Sequence, residues 1–525
     1  MIKKLVTAAL LMGLLSTTAA TAIERGGKMT FARYDDSVII DPVYSERNPD
    51  LWLVANLYDT LLRTEADGKT ISPGLAATYE VASDGLSIRL MLRDGIKFSD
   101  GTPITADDVI FSLERARNPD LGPWANLLAS VDTVTADGAF ITIALKNRDP
   151  ALVSILATFN TGIVSKAAFE AAPGATDQEK AQALFKSGQV SSGPFVLASH
   201  TPGINMVFKP NPNYWREGAD GKPLPYLDEV DLQLVPDDAT RILKLQAGEV
   251  DAAEFIPFSR VAELSADPNL RMELFPSTRI IYAPINTRPT KADGSANILS
   301  DMRVRQALNY ATNKEALIQL VTFGTGTPMS SLMSSQTQLY ASDGPLYPYD
   351  LEKAKALLAE AGVAPGTKLT FTTLAGSADD ATMFTALQQM WQQAGIDLSV
   401  EQVDNPTRGA KNRSGEFDIH TYGWVNDVND PAQVTGWLGY FPQREAVGTG
   451  WNNAEFNTLY EASNVEIDPE ERAKDYARMQ AIYAEEAPLL FLYETPFAVA
   501  VSKHIEGYWQ SSLGANDFAS AWRAQ

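Results

Sequence analysis

The sequence predicts an α/β protein with more than one domain, on three observations. From about Asp301 onward, amphipathic helices end at glycine and strands follow them, which is typical of α/β domains. The chain has 525 residues, 45% of them hydrophobic and 21% charged, enough for roughly three domains of about 150 residues each. After the last long helix, the strand-forming run PLLFLYETPFAVAVS predicts that the chain crosses back to its first lobe.

In the N-terminal half, the pattern predicts a strand, a turn and a helix in succession. Ile88, Leu90 and Leu92 alternate with serine, arginine and methionine, as in a strand with one buried face. Thr105 and Asp108 fit the N-terminal box of a helix, in which side chains at the cap and three residues later satisfy free backbone N–H groups. We therefore expect a helix to begin at this point.

The second half alternates helix and strand more regularly. Asp350 opens the helix DLEKAKALLAEAG, which Gly362 terminates, because glycine readily adopts the left-handed conformation of a helix C-terminus. The strand KLTFTTL, the helix TMFTALQQMWQQAG and the strand IDLSVEQV follow, and the long helix DPEERAKDYARMQAIYAEEAP stops at Pro488. This order predicts an α/β lobe.

The first 22 residues have the features of a secretory signal peptide. Two lysines precede a short apolar run, and Ala20 and Ala22 supply the small residues of a cleavage site. No cysteine follows the run, so a lipid anchor is not expected, and no later segment is long and apolar enough to cross a membrane. We predict a soluble protein of the periplasm.

The composition excludes several kinds of site. The chain has no cysteine, which rules out disulfides, thiol nucleophiles and thiolate metal sites. Its three histidines are scattered without metal-ligand spacing, so we expect no metal site and no cofactor. With 65 acidic against 43 basic residues, the net charge is -22, which disfavours a nucleic-acid partner because phosphate binding needs a basic surface.

Six segments spread over the chain resemble, in order, those of one protein family. They are SPGLAATYEVASDGLSIRLMLRDGIKFSDGTPITADDV from Ser72, SSGPFVL from Ser191, NPNYWR from Asn211, LQAGEVDAAEF from Leu245, DMRVRQALNYATNKEAL from Asp301 and DLEKAKALLAEAG from Asp350. Together they are similar to the family 5 extracellular solute-binding proteins of ABC importers, which include dipeptide-, oligopeptide- and nickel-binding proteins.

The resemblance implies the bilobed periplasmic-binding-protein fold of type II, in its large form with three subdomains. Residues 23–280 would form lobe I, with an inserted subdomain at about 50–190, and residues 281–490 would form the α/β lobe II. Residues 491–525 would return to lobe I. Two hinge strands are expected, one near Ile280 to Asn286 and the other near Phe491 to Thr495.

The resemblance also implies a function. A monomer would enclose its ligand as the lobes rotate together and deliver it to an inner-membrane permease driven by cytoplasmic ATPases, without catalysing a reaction. Peptides, either oligopeptides or dipeptides, are the ligands we expect. Another amine-bearing solute, such as an opine or a metal chelate, remains an alternative, as do a secreted hydrolase that uses paired carboxylates and a sensor that docks on a chemoreceptor.

The segment GWVNDVNDP, residues 423–431, holds the main candidate for ligand binding. In peptide-binding relatives, an aspartate three residues after a tryptophan holds the ligand's α-ammonium group, and this spacing corresponds to Trp424 and Asp427. An ionised carboxylate accepts the hydrogen bonds that an ammonium donates. Asp430, just before Pro431, is expected instead to shape the turn.

The residues that would bind the carboxylate end of the ligand are harder to identify in the sequence. Dipeptide-binding relatives present an arginine to the ligand carboxylate from a stretch that corresponds to residues 374–385, which here contains neither arginine nor lysine. Arg408, Lys411 and Arg413 are candidate replacements, although a basic loop is more often simply solvated. By resemblance, Tyr34 and Asp35 would line the lobe I side of the cleft. Longer peptides need no single carboxylate clamp, since main-chain hydrogen bonds can hold an extended chain.

Overall fold

The computed structural model describes residues 23–342, 346–376, 378–443 and 447–524. The proposed signal peptide, residues 1–22, lies outside the described residues. Within them, none of the helices combines the length and the apolar character that a membrane-spanning segment needs.

The first lobe is built on a mixed sheet of seven strands. Its central strand, Lys28–Arg33, runs parallel to both of its neighbours. In spatial order the strands are Leu270–Phe275, Phe497–Ser502, Ala252–Ala253, Lys28–Arg33, Glu229–Leu234, Asn205–Pro210 and Phe195–Thr201. The helices of this lobe are Asn48–Leu57, Lys166–Ala171, Asp177–Ser187, Asp238–Gln246 and Phe258–Ser265.

A smaller antiparallel sheet forms a second layer within the N-terminal half. Its strands are, in spatial order, Ala76–Val81, Ser87–Leu92, Phe140–Leu145 and Val131–Asp137. Ile88, Leu90 and Leu92 are buried, which confirms the predicted alternation. The helix Ala106–Ala116 packs on this sheet and begins with the predicted capping box, in which the Asp108 carboxylate accepts a hydrogen bond from the Thr105 backbone N–H at 2.9 Å.

Several shorter elements lie outside these two sheets. Two pairs of short strands lie in the C-terminal tail and one near the start of the chain: Ile505–Glu506 with Trp522–Arg523, Trp509–Gln510 with Asn516–Asp517, and Leu62–Thr64 with Ile71–Pro73. The helix Leu152–Ile155 and the 3₁₀ turns Ala125–Leu128 and Phe159–Thr161 are further short elements of the N-terminal half, and the 3₁₀ turn Ile298–Ser300 lies in the second lobe.

The second lobe has a parallel sheet of three strands, ordered Ile396–Val403, Thr367–Leu374 and Ile419–His420. Trp391 is fully buried beside this sheet. The helices are Met302–Tyr310, Lys314–Val321, Leu351–Glu360, Ala378–Ala394, Asn405–Ser414, Pro431–Gly439, Ala454–Ser463 and Pro469–Glu486. The observed alternation of helices and parallel strands confirms the predicted α/β class.

Two antiparallel strands, Ile280–Pro284 and Leu489–Glu494, lie side by side at the predicted hinge. They belong to a four-stranded sheet with Thr327–Pro328 and Tyr422–Trp424 at its edges. The run PLLFLYETPFAVAVS is not one strand, because it divides between this sheet and the sheet of the first lobe. The division falls at Thr495 and Pro496, where proline supplies no backbone N–H to a strand ladder.

Candidate functional site

The segment that carries Trp424 and Asp427 leaves the hinge sheet at its edge. Trp424 is in register with Ile280, and two residues later the Asn426 backbone N–H donates to Thr278 Oγ1 at 3.0 Å. The Trp424 indole stacks on Trp437 with ring centroids 5.2 Å apart, and its Nε1 donates to Asn426 Oδ1 at 2.7 Å. The tryptophan therefore holds the backbone that precedes Asp427.

Asp430 is fully engaged with protein groups. Its Oδ1 accepts from the Ala432 backbone N–H at 2.9 Å, which caps the helix Pro431–Gly439. Both carboxylate oxygens also accept from Arg472, at 2.9 and 2.8 Å. Only 2% of the Asp430 surface is exposed. The expected turn residue is thus a helix cap and one half of a buried, bidentate ion pair, and the ion pair was not predicted from the local sequence.

Asp427 has a different environment, although it is only partly exposed. Its Oδ2 accepts a hydrogen bond from Gln433 Nε2 at 2.9 Å, and its backbone N–H donates to Gln433 Oε1 at 2.9 Å. Among the described residues, no cationic nitrogen lies within 4.0 Å of the carboxylate. Burial raises the pKa of Asp427 to about 6, and the hydrogen bond from Gln433 offsets only part of that effect.

A cavity of about 150 Å³, called here the Asp427 cavity, lies between the two lobes beside this carboxylate. Asp427 lines it from the second lobe. The other walls come from the N-terminal half and the C-terminal tail, among them Trp52, Asp59, Trp215, Arg216 and Asn516. A ligand group in this cavity would contact both lobes at once, as the resemblance requires of a ligand enclosed between them.

A larger cavity of about 620 Å³ opens beside the hinge and is called here the hinge cavity. Tyr34 and Phe497 line it from the first lobe, Phe323 and Asp379 line it from the second, and Arg279 lies at the hinge. Arg279 was missed from the sequence. The only signal for it was its position immediately before a predicted hinge strand.

An aromatic cluster contributes residues to the walls of both cavities. Phe255, which lines the hinge cavity, lies 4.5 Å from Tyr34 and stacks on Trp52 with ring centroids 5.6 Å apart. Trp52 also packs edge-on against Phe497 at 5.4 Å and lines the Asp427 cavity. Val425 packs against this cluster from the second lobe, so the cluster is a contact between the lobes.

The other predicted residues lie in different places. Tyr34 lines the hinge cavity. The Asp35 carboxylate forms a surface ion pair with Arg47, with 42% of the Asp35 side chain exposed. Arg408 donates from Nη1 to the Thr421 carbonyl at 3.1 Å, and its guanidinium lies 4.9 Å above the Tyr422 ring. Neither Asp35 nor Arg408 is among the residues that line the Asp427 cavity or the hinge cavity.

Hydrogen bonds join the lobes around these cavities. The Asn429 side chain donates to the Gly68 carbonyl, and Ser154 Oγ donates to the Asn429 carbonyl at 3.2 Å. At a second point, Lys69 Nζ donates to the Ser335 carbonyl at 3.1 Å. The structure therefore has the two lobes in direct contact across the cleft.

Comparison with known proteins identifies the family. The model of the bacterial extracellular solute-binding proteins, family 5 middle, matches residues 70–443. The chain belongs to this family. As a family 5 solute-binding protein, it is a substrate-binding component of an ABC transporter, and the two lobes and hinge strands correspond to that role.

Individual relatives are similar over nearly the whole chain. Heme-binding protein A of Haemophilus influenzae is 29% identical over 489 residues, covering 88% of this chain and 86% of that protein. The glutathione-binding protein GsiB of Salmonella typhi is 29% identical over 527 residues, covering 95% of both. The solved structure of HbpA2 from Haemophilus parasuis superposes with a TM-score of 0.81 at 24% identity, covering 95% of this chain and all of that one, which shows the shared fold.

Proposed function

We propose that this solute-binding protein captures peptides in the periplasm for an ABC importer, and that Asp427 holds the amino end of the ligand. The observation that carries the proposal is the Asp427 carboxylate, which lines a cavity between the lobes and has no cation beside it among the described residues. Trp424 and the hinge sheet fix the segment that presents it.

The chemistry of the cavity suits an ammonium group. Asp427 Oδ2 is taken by Gln433, whereas Oδ1 accepts no hydrogen bond from the described residues. A carboxylate withdrawn from water without a cation beside it is costly, and a ligand ammonium would reduce that cost by donating charge-assisted hydrogen bonds. The ligand would thereby stabilise the form in which the lobes are in contact, because it can shift the equilibrium only by binding that form more tightly.

Membership of the family supports an exported protein that works with a membrane permease. A predicted signal peptide would export the chain, and an inner-membrane permease with its ATPases would receive the loaded protein. The glutathione-binding relative binds a small peptide with a free amino group, which supports a peptide as the ligand class. Other amine-bearing solutes share the same ammonium chemistry and belong in the same test.

The test is calorimetric titration of the purified protein with a panel of free peptides and glutathione. Each peptide has a matched control, the same peptide acetylated at its amino end, which removes the positive charge and leaves the rest of the molecule in place. We expect saturable binding without product, and affinity at least about tenfold weaker for the acetylated peptide, the loss for one partner of a buried charge pair. Equal affinity for both forms would refute the role of Asp427, and hydrolysis of the peptide would refute the binding-protein function.

A further inference from the structure

We infer that Arg279, at the hinge, binds a carboxylate of the ligand. It would take the place of the basic residue that is absent from residues 374–385. This inference rests on the proposed function, because it concerns the other end of a ligand whose amino end meets Asp427. It assigns the ligand to compounds that carry both an ammonium and a carboxylate group.

Arg279 differs from five other buried arginines of the molecule. Among the described residues, its guanidinium has no carboxylate within 4.0 Å and makes no side-chain hydrogen bond, although it is largely withdrawn from solvent. By contrast, carboxylates or backbone carbonyls accept hydrogen bonds from Arg115, Arg241, Arg305 and Arg472, and Arg33 donates to the Pro49 carbonyl and pairs with Glu254. A guanidinium has five donors, so those of Arg279 remain for a ligand.

Electrostatics agree with this geometry. Burial lowers the pKa of Arg279, and the fields of Tyr493, Asp379 and Tyr34 offset that effect only partly. At Arg472 burial acts in the same direction, but the neighbouring Asp430 more than offsets it, so the pKa is raised. An anion bound at Arg279 would relieve the same cost that Asp430 relieves at Arg472.

The position of Arg279 allows one ligand to reach both charged groups. The residue lies between Thr278, whose Oγ1 binds the Asn426 backbone N–H, and Ile280, which pairs with Trp424. Arg279 therefore lies opposite the segment that leads directly to Asp427. Two residues separate Asp427 from Val425, the position opposite Arg279, and extended backbone advances about 3.3 Å per residue, so we expect a short peptide to span the two charges.

Of the two arginines that line the hinge cavity, only Arg279 is open to a ligand carboxylate among the described residues. Arg241 already donates to the carbonyls of Val235 and Pro236 and pairs with Asp238. Asp379 lies across the cavity, and among the described carboxylates its field acts most on Arg279. It competes with a ligand carboxylate, and it is the residue with which Arg279 would pair if its role were only structural.

The experiment measures the affinity of one peptide in two forms, the free acid and the carboxy-terminal amide, on wild type and Arg279→Ala. We expect amidation to weaken binding to wild type at least about tenfold, as for loss of one partner of a buried charge pair. The Arg279→Ala variant should bind the free acid more weakly than wild type by the same factor, and its affinity for the amide should equal that of wild type. A peptide amide with a glutamate side chain distinguishes the source, because it recovers the affinity only if a side-chain carboxylate reaches Arg279.

Two further variants control the interpretation. Arg413→Ala removes an exposed arginine that lines neither cavity, and it should retain the wild-type preference. Asp379→Asn should strengthen binding of the free acid severalfold by removing the competing charge. If Arg279→Ala fails to fold, Arg279→Gln, which keeps most of the side-chain length, replaces it.

The outcomes separate the two proposals. If no peptide binds to wild type, or acetylation of the amino end has no effect, the proposed function fails. If peptides bind through the amino end but Arg279→Ala keeps the wild-type preference for the acid over the amide, only the role of Arg279 is overturned. A loss of stability in Arg279→Ala that Asp379→Asn reproduces, with that preference unchanged, would show an ordinary structural pair.

Discussion

Asp427 and Asp430 lie three residues apart in one segment, yet their carboxylates have opposite surroundings. Asp430 is buried, caps a helix and forms a bidentate pair with Arg472. Asp427 lines a cavity between the lobes, and among the described residues its carboxylate accepts a hydrogen bond from the Gln433 amide alone. The difference shows how one short segment can commit one carboxylate to a buried ion pair and leave the other beside a cavity.

The largest effect is expected from Asp430→Ala. This change leaves the Arg472 guanidinium buried without its anion and removes a helix cap, so the free energy of unfolding should fall by about 3–5 kcal/mol. Urea denaturation measures the loss. The double variant Asp430→Asn with Arg472→Met is the control, since it removes both charges and should be less harmful. If Asp430→Ala is as stable as wild type, the ion pair has no structural role.

Unlike Asp430→Ala, the Asp427→Ala change should weaken ligand binding and leave the free energy of unfolding without a loss. Loss of the anion opposite a ligand ammonium should weaken the binding of amine-bearing ligands by about 2–5 kcal/mol, with no loss of stability in the free protein. Calorimetric titration provides the measurement. Affinity equal to wild type would remove Asp427 from the site.

Asp427→Asn should make the unliganded protein more stable at neutral pH. The pKa of Asp427 is about 6 in the folded state, above its unfolded value, so the folded chain binds the proton more tightly and the ionised carboxylate costs stability above pH 6. Removing that charge should add about 1–3 kcal/mol at pH 7.5. The gain should disappear below about pH 4, where the carboxyl is protonated in both states. Denaturation at the two pH values tests both parts, and a gain at both would point to another cause.

The binding of an amine-bearing ligand should also depend on pH. Because the ligand needs the ionised carboxylate, a proton competes with it below the pKa of about 6 of the free protein. Affinity should therefore fall about tenfold between pH 7.5 and pH 5. Asp427→Asn should bind weakly at both pH values, and wild-type affinity that is constant over this range would contradict the assigned protonation.

The smallest effect is expected at Asp35, where the carboxylate pairs with Arg47 at the surface. Exposed ion pairs contribute about 0–1 kcal/mol, so Asp35→Asn should change the stability by less than about 0.5 kcal/mol and leave ligand affinity nearly unchanged. Thermal denaturation and titration provide the two values. A large loss of affinity would place Asp35 in the site after all.

Much of the architecture could be predicted because its signals are local. The burial of Ile88, Leu90 and Leu92 follows from side chains alternating between the two faces of a strand, and the capping box of Thr105 and Asp108 connects residues three apart. The break in PLLFLYETPFAVAVS could not be predicted in the same way. Both of its halves are strand-forming, and only the pairing partners decide that they join different sheets.

The candidate site was only partly predictable for the same reason. A motif marked Asp427, but the state of its carboxylate depends on which groups the fold brings near it. Arg408, a basic candidate chosen from the sequence, lies over the Tyr422 ring. Arg279, in contrast, lines the hinge cavity. No spacing in the sequence connects Arg279 with Tyr34 or Asp379, because these residues come from separate parts of the chain.

By itself, the sequence determined the α/β class, the resemblance to family 5 and Asp427 as a candidate, since these depend on periodicity and on motifs within a few residues. Only the tertiary structure decided that Asp430 meets Arg472, 42 residues away, while Asp427 meets no cation among the described residues. The physical reason is that the cost of burying a charge depends on its neighbours in space, and folding chooses those neighbours from distant parts of the chain.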